Sequence, residues 1–483
     1  MKLKKWITFL LLGCFLFSLA GCGGGTGKPE PDYSDSEANM ERYGFVGPTN
    51  GRYTDANGTN KYTGEDYRTE ERLREYKECG FDVLLLQGND PYNGEDFEGS
   101  QLKKNLDNSQ KVGLKVIAFD LRIHDLSAEP ESLIGEGEGK FANFEALVEH
   151  IDELTAPYRN HPAFYGMTVL DEPNYEHLDA LGEVYRALKT LKPDMVINVC
   201  LLPFFDSSEF IVRYAGKGTT IKYPKDAYKV YMDKCMEATG EKFLLYDNYP
   251  FRHNAQGNKD YVLATYFRNL QLMAQKSQEE GGDFGIVMQS CAMYGHREVT
   301  EADIRWQANI TMAFGAVKQC YFTYWMFPNK SIEFFTQGIM DDFGNKMLYD
   351  EVQRVNREVD GTYDVVSNFK YKATYLDFAG FTAPAYFADL TETKKLTGVE
   401  KVTTDGQLLI NEMRDDGKDY DGFFVINADD PKLQTTNTTT LTFEKARNVK
   451  LIHKGITSTQ KLGKDRTLTL VIEPGDSYFV IPY

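Results

Sequence analysis

The residues best equipped for chemistry are carboxylates that close apolar runs. Asp171 and Glu172 follow the run 164–170, Asp247 ends 243–247, and Asp120 ends 114–120. Amides and aromatics stand at comparable positions: Gln87 and Asn89, Tyr249, Gln289 and Ser290, Tyr324 and Trp325, with Arg122 just beyond Asp120. Two carboxyl groups can split a glycosidic bond, one protonating the leaving oxygen while the other acts as nucleophile or base. Flat aromatic faces suit sugars as ligands. The seven histidines show no His-Glu-x-x-His or paired spacing, so neither a metal nor another cofactor is expected.

These residues need a scaffold that gathers strand ends. Short β-rich apolar runs at 43–47, 83–87, 114–120, 164–171, 195–200, 243–247, 284–289 and 319–324 alternate with amphipathic stretches at 69–79, 102–112, 144–158, 175–189, 225–239, 260–280 and 300–314, and a last helix is expected at 350–359. Gly80, Gly113, Gly240 and Gly281 stand where helices stop, and Thr300 with Asp303 reads as a helix start. Eight βα units predict a (β/α)₈ TIM barrel, whose chemistry sits at the C-terminal strand ends. An open doubly wound sheet is the rival, but no Gly-x-Gly-x-x-Gly turn follows an early strand. Beyond residue 368 short alternating runs such as 407–411, 422–427, 448–453 and 467–472 predict a small all-β sandwich.

The stretch Phe164-Tyr165-Gly166-Met167-Thr168-Val169-Leu170-Asp171-Glu172-Pro173 resembles the strand-four signature of a large clan of barrel glycoside hydrolases, an Asn-Glu-Pro motif in which Asp171 here replaces the asparagine. The likeness extends through residues 244–251, 288–290, 300–307 and 321–325. In these segments the chain is similar to secreted bacterial barrel lipoproteins described as glycoside-hydrolase-like or β-galactosidase-like. The resemblance implies Glu172 as general acid/base, and it gives Asp171 the place of the asparagine that hydrogen-bonds the sugar 2-hydroxyl. It also puts Gln289 where the clan carries its nucleophilic glutamate, and an amide cannot serve as that carboxylate. Asp247 is then the first choice for the second carboxylate, with Glu298 and Asp120 behind it. Gln87, Asp120, Asp171, Tyr249, Gln289, Tyr324 and Trp325 are the expected substrate contacts.

Each of these has a structural alternative. Asp171 and Glu172 could open a helix, Asp247 could be a buried acceptor beneath the rim, and Tyr324 and Trp325 could cap the core. Gln289 could orient a neighbour. Arg305 reads as an ion-pair partner of Glu301 or Asp303, and His124, His253 and His296 take no leading role.

The formal net charge of −18, from 54 Lys and Arg against 72 Asp and Glu, works against binding nucleic acid. Lys2, Lys4 and Lys5 precede an apolar stretch that ends Leu19-Ala20-Gly21-Cys22, the pattern of a bacterial lipobox. Residues 1–21 are therefore expected to be a signal peptide, Cys22 the lipidated residue and 22–39 a flexible tether, followed by a barrel over 40–367 and the sandwich over 368–483. That places the chain on the outer face of a bacterial membrane. Cys79, Cys200, Cys235, Cys291 and Cys320 lack zinc-type spacing and read as small buried hydrophobes. The reading is an extracellular glycosidase acting on oligosaccharide or polysaccharide. The alternatives are a glycan-binding lipoprotein that turns nothing over, and a structural or adhesive surface protein.

Overall fold

The computed structural model describes residues 28–483 except 37, 56–58, 88–90 and 327–334. The expected signal peptide, Cys22 and Asn89 lie outside the described residues. Eight parallel strands close into a barrel: β1 (Glu41–Phe45), β2 (Val83–Leu85), β3 (Lys115–Phe119), β4 (Phe164–Asp171), β5 (Val196–Leu201), β6 (Phe243–Asp247), β7 (Asp283–Gln289) and β8 (Lys318–Phe322). Closure is direct, because β1 pairs with β8 from Glu41 opposite Lys318 and with β2 from Tyr43 opposite Val83.

The outer layer consists of α1 (Glu70–Glu78), α2 (Gln101–Val112), α3 (Leu121–Ser127), α4 (Phe144–Thr155), α5 (Leu178–Leu191), α6 (Ile211–Ala215), α7 (Pro224–Thr239), α8 (Tyr266–Glu280), α9 (Glu301–Ala313) and α10 (Tyr349–Val366). Gly113, Gly240 and Gly281 end α2, α7 and α8 in the left-handed conformation that glycine adopts without steric penalty. Thr300 and Asp303 form a reciprocal capping box at the start of α9.

Two expected helices differ from the structure. The stretch 260–280 begins as a strand: Lys259–Val262 pairs antiparallel with Phe251–Asn254 across a turn containing Gly257, and α8 starts only at Tyr266. The last helix runs to Val366 rather than 359, since its buried Val359, Thr362, Tyr363, Val365 and Val366 continue the apolar face.

The C-terminal region has nine strands: β9 (Lys370–Asp377), β10 (Val399–Thr404), β11 (Leu408–Asp415), β12 (Tyr420–Asn427), β13 (Asn437–Phe443), β14 (Asn448–His453), β15 (Ile456–Lys461), β16 (Thr467–Ile472) and β17 (Ser477–Pro482). They form an antiparallel sheet in the order β9-β11-β12-β17-β14-β15 and a second in the order β10-β13-β16. Alternate residues along the strands fill the space between the sheets: Ile410, Phe423, Val425, Leu441, Phe443 and Leu470 share one buried cluster. The sandwich packs on the barrel through α9, where Asn411 Nδ2 donates to the Ala313 carbonyl at 3.1 Å and Asn309 Nδ2 to that of Gly475 at 3.2 Å.

The expected tether is not free from Lys28 onward. Tyr33 is buried against Phe369, its hydroxyl donates to Asp415 at 2.7 Å, and Tyr420 donates to the Pro29 carbonyl at 2.8 Å. An apolar ring with a polar tip gives this segment something to bury, which composition alone did not suggest.

Candidate functional site

The mouth of the barrel gathers carboxyl groups from β4 and β6. Strand β4 outlasts its neighbours by a register shift against β5 between Thr168 and Leu170, which brings Asp171 opposite Cys200. Glu172 then turns out of the strand in the left-handed region, φ 45°, held by its N–H donating to the Cys200 carbonyl at 2.7 Å. A non-glycine residue in that conformation persists only where its surroundings fix it. Here they do: Tyr231 of α7 donates to the Pro173 carbonyl, and Arg213 of α6 donates to Asn174 Oδ1 at 2.7 Å. The Arg213 guanidinium lies 4.0 Å from Glu172 Oε2.

Asp171, the last residue of β4, is exposed to solvent at the barrel mouth. Its carboxyl is pushed up to about 7, first by burial and then by the charge of Glu172, while hydrogen bonds from Gln87 and Cys200 work the other way. Asp247 ends β6, is buried, and has one oxygen, Oδ1, with no hydrogen-bond partner. Burial raises it well above the usual carboxylate range, with the charges of Glu172 and Asp171 adding to the effect and a hydrogen bond from Tyr249 opposing it. The three carboxyls thus sense one another. A carboxyl raised in this way holds its proton to higher pH than a free carboxylate does, which suits it to proton transfer.

Gln87, Asp171, Glu172, Asp247 and Tyr249 come together as expected. Gln87 keeps a buried Oε1 without a partner, and Tyr249 stacks on Phe322, with ring centroids 5.4 Å apart. Phe322 extends this apolar wall to Phe45 and Phe335.

Four expected contacts do not belong to this group. Asp120 caps α3 and is fully engaged: Arg122 grips it through Nε at 3.0 Å and Nη2 at 2.7 Å, and Tyr158 donates at 2.8 Å. Gln289 is 0% exposed and serves as a clamp. Its Nε2 lies within 3.3 Å of the carbonyls of Phe251, Cys291 and Arg297, its Oε1 accepts from Phe251 N–H at 2.9 Å, and Gln307 of α9 bonds its backbone on both sides. Tyr324 lies edge-on to Tyr76 of α1 and to Phe81, and Trp325 packs on Tyr67, so both are core rings rather than sugar platforms. Glu298 borders a different groove, of about 580 Å³, with Asp260, Arg297 and Lys432. Arg305 pairs with Glu301 and Glu358, as an ion-pair role requires.

Three residues at the mouth carry roles that sequence reasoning does not reach. Cys200 reads in the sequence as a small hydrophobe, yet its thiol donates to Asp171 and burial keeps it protonated; its place at a strand end is the available signal. Arg213 sits in a short helix with no periodic pattern to announce it. Phe322 is hidden inside the β8 run. Among the described residues the five cysteines are buried and free, and no group of three or more His, Cys, Asp or Glu is arranged to hold a metal ion.

No protein-family model matches the chain, and no curated protein matches it in sequence. Among solved structures it is similar to a glycosyl hydrolase family 2 member from Bacteroides cellulosilyticus, at 12% identity and a TM-score of 0.36 over 90% of this chain and 43% of that one. It is also similar to an endo-β-1,4-mannanase from Thermotoga petrophila, at 12% identity and a TM-score of 0.40 over 88% of this chain and 97% of that one. A glycoside hydrolase family 5 structure from Bacteroides vulgatus gives 9% identity and a TM-score of 0.46 over 90% and 94%. The chain spans less than half the length of the family 2 member. Likenesses of this size carry no functional argument, so the reading below rests on the barrel mouth.

Proposed function

We propose that the barrel mouth hydrolyses glycosidic bonds of extracellular glycans, with Glu172 as general acid/base and Asp247 as the second carboxylate. One observation carries the reading: an Asp247 carboxyl with an unpartnered oxygen, raised first by its burial and then by the charges of Glu172 and Asp171. Two carboxyl groups in different environments can divide the acid and base roles that glycoside cleavage needs. Gln87 and Asp171 offer polar contacts to sugar hydroxyls, and the Tyr249–Phe322 stack offers an apolar wall.

Glu172→Gln should lower turnover of a cleavable glycan by about 10²-fold or more while leaving the unfolding midpoint in place. Unchanged turnover would overturn the assignment. A second reading, glycan binding without turnover, draws on Gln289, whose amide is wholly spent on holding loops and leaves no carboxylate at the end of β7. Calorimetric titration with oligosaccharides beside a product assay separates the two, since binding without product favours the second. The proposal includes attachment to the outer face of a bacterial membrane through lipid on Cys22; the mass of the N-terminal peptide from cells tests that.

A further inference from the structure

The hairpin after β6 is extended into a three-stranded ribbon by the loop after β7. Arg252 lies opposite Tyr261 within the hairpin and bridges antiparallel to His296 on its other side. His253 N–H donates to the Gly295 carbonyl at 2.9 Å, and Arg297 N–H to that of Phe251 at 3.2 Å. Residues directly opposite in antiparallel pairs project on the same face, so Tyr261, Arg252 and His296 form a row. The alternate face is occupied. Phe251 packs on Trp306 at 5.5 Å and under Arg297 at 4.3 Å, and Asp260 bonds His253 at 2.6 Å and also Lys432 of the sandwich region.

The row itself is unsatisfied. Among the described residues no carboxylate pairs with Arg252, and its Nε is buried without a hydrogen-bond partner. Burial disfavours its charge, and only Tyr261, Asp247 and Tyr249 favour it. His296 is held down to about 4 by burial and by the Arg252 cation, so it is neutral. Its Nδ1 lies 3.0 Å from the Tyr294 carbonyl, which assigns the proton to Nδ1 and leaves Nε2 as a bare acceptor, buried and unpartnered. The imidazole stands edge-on to Tyr249 at 6.0 Å, and Tyr249 hydrogen-bonds Asp247. The row therefore begins at the carboxylates and runs outward to Tyr261, 44% exposed, with Tyr294, 76% exposed, beside it.

We propose that this ribbon face is a subsite for an anionic sugar unit: Arg252 takes its carboxylate or sulfate, His296 accepts from a neighbouring hydroxyl, and Tyr261 stacks on its ring. The inference rests on the sugar-binding reading of the mouth and adds the charge of the substrate. A half-buried guanidinium without a paired carboxylate is costly, and an oxyanion that accepts from two of its N–H groups satisfies it in a geometry that a neutral hydroxyl does not. The adjacent acceptor suits a hydroxyl next to that anion, the arrangement found in uronic acids and sulfated sugars. A chain of net charge −18 repels polyanions in general, so retention of an acidic glycan cannot come from diffuse attraction.

The test is retention on immobilised polysaccharides: polygalacturonate and its carboxyl-reduced counterpart, dextran sulfate and dextran, and neutral mannan and galactan. The wild-type chain, Arg252→Gln and Arg252→Lys are compared, with unfolding midpoints confirming that each is folded. The wild type should hold at least one acidic polymer about tenfold more tightly than its neutral counterpart. Arg252→Gln should erase that preference and Arg252→Lys restore part of it. The carboxylate and sulfate arms identify the anion. Equal retention of acidic and neutral forms, or a preference that survives Arg252→Gln, overturns the anionic subsite and leaves the sugar reading intact. Retention of no polysaccharide at all overturns both.

Discussion

Among single residues, the mouth is defined by where protons sit. Burial and the charge of Glu172 push the Asp171 carboxyl from its ordinary 3.8 up to about 7, so between those values the native state binds more protons than the unfolded chain. Stability contributed by this group therefore falls as pH rises through that window. Asp171→Asn should gain stability relative to the wild type as pH is raised from about 4 to about 7, measured as the difference in thermal midpoints. A constant difference would remove Asp171 from the set of raised carboxyls. Solvent access to Asp171 makes the slope shallower than full burial would give.

Gln289 supports a sharper expectation. Placing a glutamate there, Gln289→Glu, would set a carboxylate against three backbone carbonyls that now receive an amide N–H. The variant should lose about 1–3 kcal/mol in denaturant unfolding and gain no turnover. Increased turnover would return β7 to the catalytic apparatus. The identity of Gln289 is plain in the sequence. Its engagement is not, because the three carbonyls come from the hairpin after β6 and the loop after β7.

Among the elements, β4 does the most to build the site. Gly166 lies so close to β5 that an added Cβ would sit 1.7 Å from the Val196 carbonyl oxygen. Gly166→Ala must push the two strands apart, at a cost of about 1–3 kcal/mol or more. Because Asp171 and Glu172 are set by the same strand pairing, turnover should fall along with the unfolding midpoint. A variant with unaltered stability would show that the strands have slack at this point. All eight strands are legible as apolar runs bounded by turn residues, since a strand buried on both faces has little choice of composition. The hairpin 251–262 is not. Its two strands pair with each other, the loop that flanks them comes after β7, beyond the whole of α8, and the second strand joins smoothly in pattern to the helix that follows.

Across the molecule as a whole, the sandwich holds the N-terminal segment as well as the barrel. Lys28 pairs with Asp419 at 2.8 Å, Glu30 accepts from Thr459 at 2.9 Å, and Tyr33 fills a place beside Phe369 at the point where α10 meets β9. Tyr33→Ala should lower the stability of the chain by about 3 kcal/mol in denaturant unfolding and expose the segment to limited proteolysis. Protection unchanged by the substitution would mean that the contacts of Lys28, Pro29 and Glu30 hold it without the ring.

Periodicity, turn residues and strand-end carboxylates are local properties of the chain, and they suffice to specify the barrel, the sandwich and the adjacency of Asp171 and Glu172. They do not specify which polar strand-end residues remain available at the mouth. Asp120 and Gln289 have the right chemistry and the right positions, yet their lone pairs and N–H groups are consumed by Arg122, Tyr158 and three carbonyls. Arg252 and His296, which no local pattern singles out, keep polar atoms without partners. Whether a polar group is spent or available depends on neighbours brought in from distant parts of the chain, and packing alone supplies them.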